Sequence, residues 1–132
     1  LEKIKDKVTF MQGDACNLKD IYTCFDLIFC SNLIDRLYYP QKFLDDIPSR
    51  INKDGLLVLL SPYTWLEDYT PKENWLGGYI KDNKEVKTLD TLKENLLVDF
   101  ELLETIDVPF VIKETSRKYQ HTISQMSIWK KK

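Results

Sequence analysis

Glycine is scarce in this chain: 4 of 132 residues, at Gly13, Gly55, Gly77 and Gly78. No two are separated by a single residue, so there is no G-x-G turn, and a glycine-rich phosphate cradle of the P-loop or dinucleotide kind is absent from these residues. Cysteine is nearly as rare. Cys16, Cys24 and Cys30 are odd in number and form no C-x-x-C, and the single histidine, His121, is remote from them in sequence. That pattern argues against a disulfide framework and against a zinc site. The three thiols are expected to be small buried apolar residues in a reducing, cytoplasmic setting. Residues Leu1 to Lys7 alternate charge without an apolar stretch, so they do not read as a signal peptide. No apolar run approaches the ~20 residues that span a bilayer. Surplus positive charge is missing too: the formal net charge is -2, and a protein that grips nucleic acid is usually more basic. Lys130 to Lys132 is the only charge run and reads as a solvated tail. Membrane and nucleic-acid partners are therefore not expected.

What remains is the composition of a soluble globular domain, 43% hydrophobic and 30% charged, at a length that suits one domain. Val8 to Met11 predicts a short strand closed by Gly13-Asp14. Phe25 to Cys30 and Leu56 to Leu60 are nearly continuous apolar runs, the pattern of parallel strands buried on both faces. Between them Phe43, Leu44, Ile47 and Ile51 recur at helical spacing behind Pro40, a residue suited to a first helical turn. Pro48 predicts a kink in that helix, and Lys53-Asp54-Gly55 a stop and turn. This is a βαβ unit with an expected right-handed crossover.

The second half differs. Ser61 to Tyr79 holds Pro62, Pro71, Gly77 and Gly78 among Tyr63, Trp65, Tyr69 and Trp75, and predicts a long aromatic-rich loop. Loops of that length in a small domain are usually functional. Leu89, Leu92, Leu96 and Leu97 form a helical stripe with Thr88 or Asp90 as N-cap. Phe100 to Asp107 and Thr122 to Trp129 predict an antiparallel pair joined by residues 108–120.

That order resembles the later part of the Rossmann-like fold of S-adenosylmethionine-dependent methyltransferases. The residues carrying the resemblance are Gln12-Gly13-Asp14-Ala15 after the first strand, Phe25-Asp26-Leu27-Ile28 leading to Leu33, Leu37 and Pro40, and Ile51-Asn52-Lys53-Asp54-Gly55-Leu56-Leu57. A narrower resemblance follows. Leu60-Ser61-Pro62-Tyr63-Thr64-Trp65-Leu66-Glu67 and Thr70-Pro71-Lys72-Glu73-Asn74-Trp75-Leu76-Gly77-Gly78 look like a signature of the methyltransferase domain of ovothiol biosynthesis, the 4-mercaptohistidine N1-methyltransferases. Phe100 to Leu103, Pro109-Phe110 and Glu114 to Gln120 resemble it too. The resemblance implies an α/β fold, parallel strands plus a final antiparallel pair, over residues 1–132 as one domain. It implies S-adenosylmethionine as cofactor, a small amino-acid-like thiol-bearing histidine as methyl acceptor, and no metal. The family's first strand, glycine-rich turn and ribose-binding acid have no counterpart here, nor does the iron-dependent sulfoxide synthase region of the ovothiol enzymes. The chain is thus expected to be the C-terminal portion of a methyltransferase domain, inactive alone and prone to homo-oligomerise through an exposed sheet edge.

Each implied site residue has a plainer alternative. Asp14 and Ala15 would meet the adenine, beside Asn17 and Leu18, or form a generic turn. Ser31, Asn32 and Leu33 sit where ligands bind in open α/β sheets, beyond a strand's carboxyl end; Asn32 would equally serve as a helix cap. Arg36 would pair with a substrate carboxylate or with Asp35 or Asp45. Tyr63, Thr64, Trp65, Asn74 and Trp75 would wall the acceptor by stacking and hydrogen bonding, or pin the loop to the domain. Arg117, Lys118 and His121 read as a solvated turn and a strand start. No catalytic base is assigned. The competing readings are a methyltransferase of another small acceptor and a non-catalytic, oligomerising module.

Overall fold

A computed structural model describes residues 2–132. Its four-stranded sheet has the order β1-β2-β6-β5, from β1 (Phe25–Ser31), β2 (Ile51–Ser61), β5 (Phe100–Lys113) and β6 (Tyr119–Lys131). β1 and β2 are parallel, with Ile28 opposite Leu57 and Cys30 opposite Leu59. β6 then runs antiparallel beside β2, placing Trp129 opposite Leu57, and β5 closes the other edge as the antiparallel partner of β6. The expected βαβ unit and final antiparallel pair are both present.

Two helices cover one face. α1 (Pro40–Asp46) starts at Pro40, and the apolar stripe then passes into a 3-10 turn at Ile47–Arg50 containing Pro48. The expected kink is therefore the end of the α-helix, because Pro48 has no N–H to continue the ladder, and Ile51 opens β2 instead of closing the helix. α2 (Thr88–Leu96) is capped by Lys87 without a side-chain hydrogen bond, so neither Thr88 nor Asp90 serves as N-cap. Gln41 Nε2 donates to Asn95 Oδ1 at 2.6 Å and ties α1 to α2. Phe43, Leu44, Ile47, Leu92 and Leu96 pack with Leu57, Leu59, Phe100 and Trp129 in one core.

The opposite face is less covered. Val58 is buried there, but Phe25, Leu27 and Phe29 are 42%, 56% and 57% exposed. The expectation that β1 is buried on both faces is corrected: period-2 alternation sends Leu27 and Phe29 away from the helices. Among the described residues no strand lies along the outer edge of β1.

Val8 to Met11 is not a strand either. Phe10 is 93% exposed, and these residues follow a 3-10 turn at Glu2–Lys7 as irregular chain. A short β-prone run gains nothing from extending without a neighbour to take its backbone hydrogen bonds. Residues 18–22 are instead held by Arg50, which is 5% exposed. Its Nη1 donates to the carbonyls of Lys19 (2.6 Å) and Tyr22 (3.0 Å), and its Nη2 to that of Leu18 (3.2 Å). Its Nε and Nη2 also grip the Asp46 carboxylate.

Other differences are local. Lys53-Asp54-Gly55 is not a stop but an irregularity inside β2: the register jumps from Phe25–Ile51 to Leu27–Leu56. Asp54 takes φ 65° there, and a Cβ on Gly55 would lie 2.7 Å from Ile51 Cγ2. The predicted loop ends in a small hairpin, β3 (Tyr79–Lys81) and β4 (Lys84–Val86), turned by Asp82 and Asn83 at φ 51° and 59°. Residues 108–120 are mostly strand, since β5 and β6 stay paired out to Lys113–Tyr119. The β2–β6 pairing ends at Ser61–Gln125, so the outer hairpin extends past the end of β2 as an arm. Cys16 and Cys30 are buried, whereas Cys24 is exposed at φ 62°. Among the described residues no helix is long and apolar enough to cross a membrane.

Candidate functional site

The carboxyl ends of β1 and β2 lie side by side, because Ser31 pairs with Leu60. Both strands leave the sheet through left-handed backbone at a non-glycine residue, Asn32 at φ 51° and Tyr63 at φ 54°. For a bulky residue such as Tyr that conformation is strained, and strain of this kind gathers at functional sites. Asn32 N–H donates to the Leu60 carbonyl at 2.7 Å, and its side-chain amide reaches Ser31 Oγ at 3.2 Å. It does not cap the 3-10 turn at Ile34–Arg36, whose N-cap is Leu33.

That turn presents Asp35, which is 1% exposed and which the sequence reading did not single out as a site. Asp35 Oδ2 accepts from Thr64 N–H at 2.9 Å and from Arg36 Nη1 at 3.1 Å. Arg36 Nη1 also donates to the carbonyls of Asp35 (2.8 Å) and Thr64 (2.6 Å), and the guanidinium lies 5.0 Å from the Tyr69 ring centre. The ion pair of Arg36 is thus with Asp35, one of the two partners the sequence offered. Together Asp35, Arg36 and Thr64 lace the exits of β1 and β2.

The aromatic segment divides. Trp65 is 6% exposed, stacks on Trp75 with ring centres 6.5 Å apart, and donates from Nε1 to Thr88 Oγ1 at 3.0 Å. Trp75 Nε1 donates to the Thr70 carbonyl at 2.8 Å, and Asn74 Nδ2 to the Tyr38 carbonyl at 3.0 Å. Through these contacts the three residues hold the segment to the domain. Gly77 completes the attachment, since a Cβ there would run into the backbone nitrogen of Thr88.

Tyr63 is different. Its hydroxyl donates to Gln125 Oε1 at 3.2 Å, and it lines a cavity of about 600 Å³ with Pro62, Gly78, Asp90 and Asp107. Burial, and then the Asp35 charge, push its phenol up to about 12. Ionisation is therefore harder in the folded protein than in the unfolded chain. The stability this contributes is complete below about pH 10 and is lost as pH rises through about 12. Ultraviolet titration should show one tyrosine ionising near 12 that falls into the ordinary range in urea; a folded protein whose tyrosines all titrate together contradicts this environment.

Two further cavities lie beside β1 and beyond its carboxyl end. One, of about 370 Å³, is apolar and is lined by Gly13, Ala15, Leu18, Leu27, Ile28, Cys30 and Leu33. Asp14 stands beside it but is engaged: Oδ1 accepts from Cys16 N–H at 2.9 Å and Oδ2 from Tyr38 Oη at 3.0 Å. The hydrogen bond to that carboxylate raises the Tyr38 phenol above its usual value. Asn17 is exposed and only its backbone N–H is engaged, by the Asp14 carbonyl at 3.0 Å. The other cavity, of about 300 Å³, lies between Asn32, Asp35, Arg36, Pro62 and Thr64 and the arm residues Phe110, Ile112, Gln120 and Thr122. Arg117 and Lys118 turn the arm at its exposed tip, where Lys118 Nζ meets Glu114 Oε2 at 2.6 Å. His121 is exposed on β6 opposite Val111.

No protein-family model and no curated protein matches the sequence. A solved structure from work on the conversion of a disulfide bond into a thioacetal group during echinomycin biosynthesis does match the fold, with a TM-score of 0.63 and 10% identity over 98% of this chain and 60% of that one. The chain has a Rossmann-like, mixed α/β fold. It spans about 60% of the length of that neighbour, and at this identity the likeness concerns the fold alone.

Proposed function

We propose that the chain belongs to an S-adenosylmethionine-dependent methyltransferase that methylates a ring nitrogen of a small thiol-bearing histidine, converting 4-mercaptohistidine to ovothiol. The observation that carries the reading is the junction of the adjacent carboxyl ends of parallel β1 and β2 with the Ser61 to Gly78 segment, which leaves β2 at that point. That segment is also where the sequence resembles the 4-mercaptohistidine N1-methyltransferases. The Rossmann-like fold shared with the echinomycin-biosynthesis structure is compatible with the general class.

The residues present suit one end of the cofactor. Gly13, Ala15, Leu18 and Leu33 form an apolar wall of a kind that takes a flat base, while Asp14 and Asn17 neighbour these residues in sequence and Ser31 and Asn32 end and follow β1. No glycine-rich turn for the methionine end occurs in these 132 residues. When bound, the cofactor supplies an electrophilic methyl group. The contribution of this chain is to hold the acceptor nitrogen in line and to exclude water, effects worth up to ~7–11 kcal/mol in favourable cases. Asn32 and Thr64 offer polar groups for that task, Arg36 supplies charge, and the arm supplies cover.

The test uses the native gene product that carries these residues, 4-mercaptohistidine and methyl-labelled S-adenosylmethionine. The expected result is label on a ring nitrogen, located by mass spectrometry. Transfer to a different small amine instead moves the reading to another acceptor. No transfer to any small nucleophile leaves the non-catalytic module.

A further inference from the structure

Arg36 uses one end of its guanidinium and leaves the other free. Nη1 donates to the carbonyls of Asp35 and Thr64 and to Asp35 Oδ2, while Nε and Nη2 have no partner among the described residues. Neither belongs to the buried side-chain atoms left without a partner, which among the described residues are Asp35 Oδ1 and Ser124 Oγ. The side chain is 34% exposed, so the free nitrogens are open to solvent. The centre of the Tyr69 ring lies 5.0 Å from the guanidinium carbon and covers one face of the group. With three oxygen atoms gripping Nη1, the plane of the guanidinium is fixed. A side chain held in this way has already lost the rotamer freedom that a ligand would otherwise have to remove.

Nε and Nη2 share one edge of the guanidinium, the edge whose two parallel N–H bonds meet both oxygens of a carboxylate. Arg36 lines the cavity of about 300 Å³ between the strand exits and the arm, a volume at the small end of ligand sites. Its only charged lining residues are Arg36 and Asp35, and the two are not equally available. Asp35 is 1% exposed and pairs with Nη1, so its carboxylate is closed to a ligand. The ion pair is close to neutral at long range. Recognition at the free edge therefore rests on directed hydrogen bonds and not on bulk attraction, which favours a planar, two-oxygen group over a mere negative charge. From the arm, Phe110 and Ile112 add apolar surface for a flat ring.

We propose that Arg36 binds the carboxylate of a small, amino-acid-like ligand through Nε and Nη2, with the ring of that ligand against Phe110 and Ile112. The identity of the ligand as the methyl acceptor rests on the function proposed above; the carboxylate binding itself does not. Held by its carboxylate at one end and its ring at the other, the acceptor presents a ring nitrogen in a fixed position. Arg36 is then a substrate-binding residue, with no proton transfer required of it.

The experiment is calorimetric titration of the native gene product, without cofactor, with L-histidine and with L-histidinol, which keeps the ring and the ammonium but has an alcohol in place of the carboxylate. Histidine should bind at least about tenfold more tightly, as expected for a charge-assisted, bidentate contact. Arg36→Lys, which keeps the charge and loses the fork, should reduce that preference to about threefold or less. Phe110→Ala should weaken both ligands and leave the preference intact. Should Arg36→Lys not fold, the Nε–H resonance of Arg36 in the unaltered protein decides: histidine should shift it and slow its exchange with water, and histidinol should leave it unchanged. The proposal is overturned by undetectable histidine binding, by equal binding of the two ligands, by a preference that survives Arg36→Lys, by unchanged affinities in Phe110→Ala, or by an Nε–H resonance indifferent to histidine. Carboxylate-dependent binding without methyl transfer would retain the site and reject the reaction; methyl transfer without any preference for the carboxylate would do the reverse.

Discussion

Trp129→Ala should cost about 3–5 kcal/mol of folding stability, the range for deleting a large aromatic side chain from a packed core. Trp129 is 0% exposed at the middle of the sheet, opposite Leu57 on β2 and Leu102 on β5. It therefore fills the space beneath α1 and α2 where the parallel and antiparallel parts of the sheet meet. Its Nε1 donates to Ser127 Oγ at 2.9 Å, so truncation also strands a hydroxyl that is itself buried. A domain of this size is stable by only about 5–15 kcal/mol, so the variant should lose a large part of its margin in urea unfolding. Trp129→Phe, which keeps most of the ring, should fall well short of that loss. A change under about 1 kcal/mol for the alanine variant would mean that β6 does not occupy the centre of the sheet.

Arg50→Ala should cost about 3 kcal/mol, the low end for breaking a buried ion pair, because the Asp46 side chain is 34% exposed and remains partly hydrated when its partner goes. The more specific effect is local. Arg50 alone supplies side-chain hydrogen bonds to the carbonyls of Leu18, Lys19 and Tyr22, which lie beside the apolar cavity next to β1. Hydrogen exchange of residues 18–24 should accelerate while that of β6 changes only in step with global stability. Unchanged exchange over residues 18–24 would show that the segment is held by other contacts. Arg50→Lys should rescue little, since one ammonium does not reproduce the fork that reaches three carbonyls and a carboxylate.

The sequence made the central βαβ unit legible because its signals are local and strong: an apolar run, Pro40, a helical stripe, a second apolar run. The antiparallel β5–β6 pair was legible for the same reason, though its length was not. Residues 108–120 hold Pro109 and several charges and read as a connection, yet the hairpin register carries through Pro109, which can sit in an edge strand such as β5. Val8 to Met11 misled because β-propensity is no substitute for a neighbouring strand. The β3–β4 hairpin had a usable signal in Asp82-Asn83, two residues that tolerate left-handed backbone.

For the candidate site, position was legible and roles were not. The carboxyl ends of two parallel strands are where an open α/β sheet presents ligands, and Ser31, Asn32 and Thr64 do gather there. Spacing alone could not show that Trp65, Asn74 and Trp75 direct their polar groups inward, to Thr88, Tyr38 and Thr70. Nor could it show that Asp35 is buried with an unpartnered oxygen, because that depends on Thr64 returning to it from 29 residues away.

The most direct test of the account is a crystal structure of the native gene product with S-adenosylhomocysteine and 4-mercaptohistidine. The account predicts the acceptor in the cavity between Asp35, Asn32 and Thr64 and the arm residues Phe110 and Gln120, with the base of the nucleoside against Ala15 and Leu33. Acceptor density instead in the cavity beside Tyr63 and Asp90, or a nucleoside bound away from β1, would contradict it.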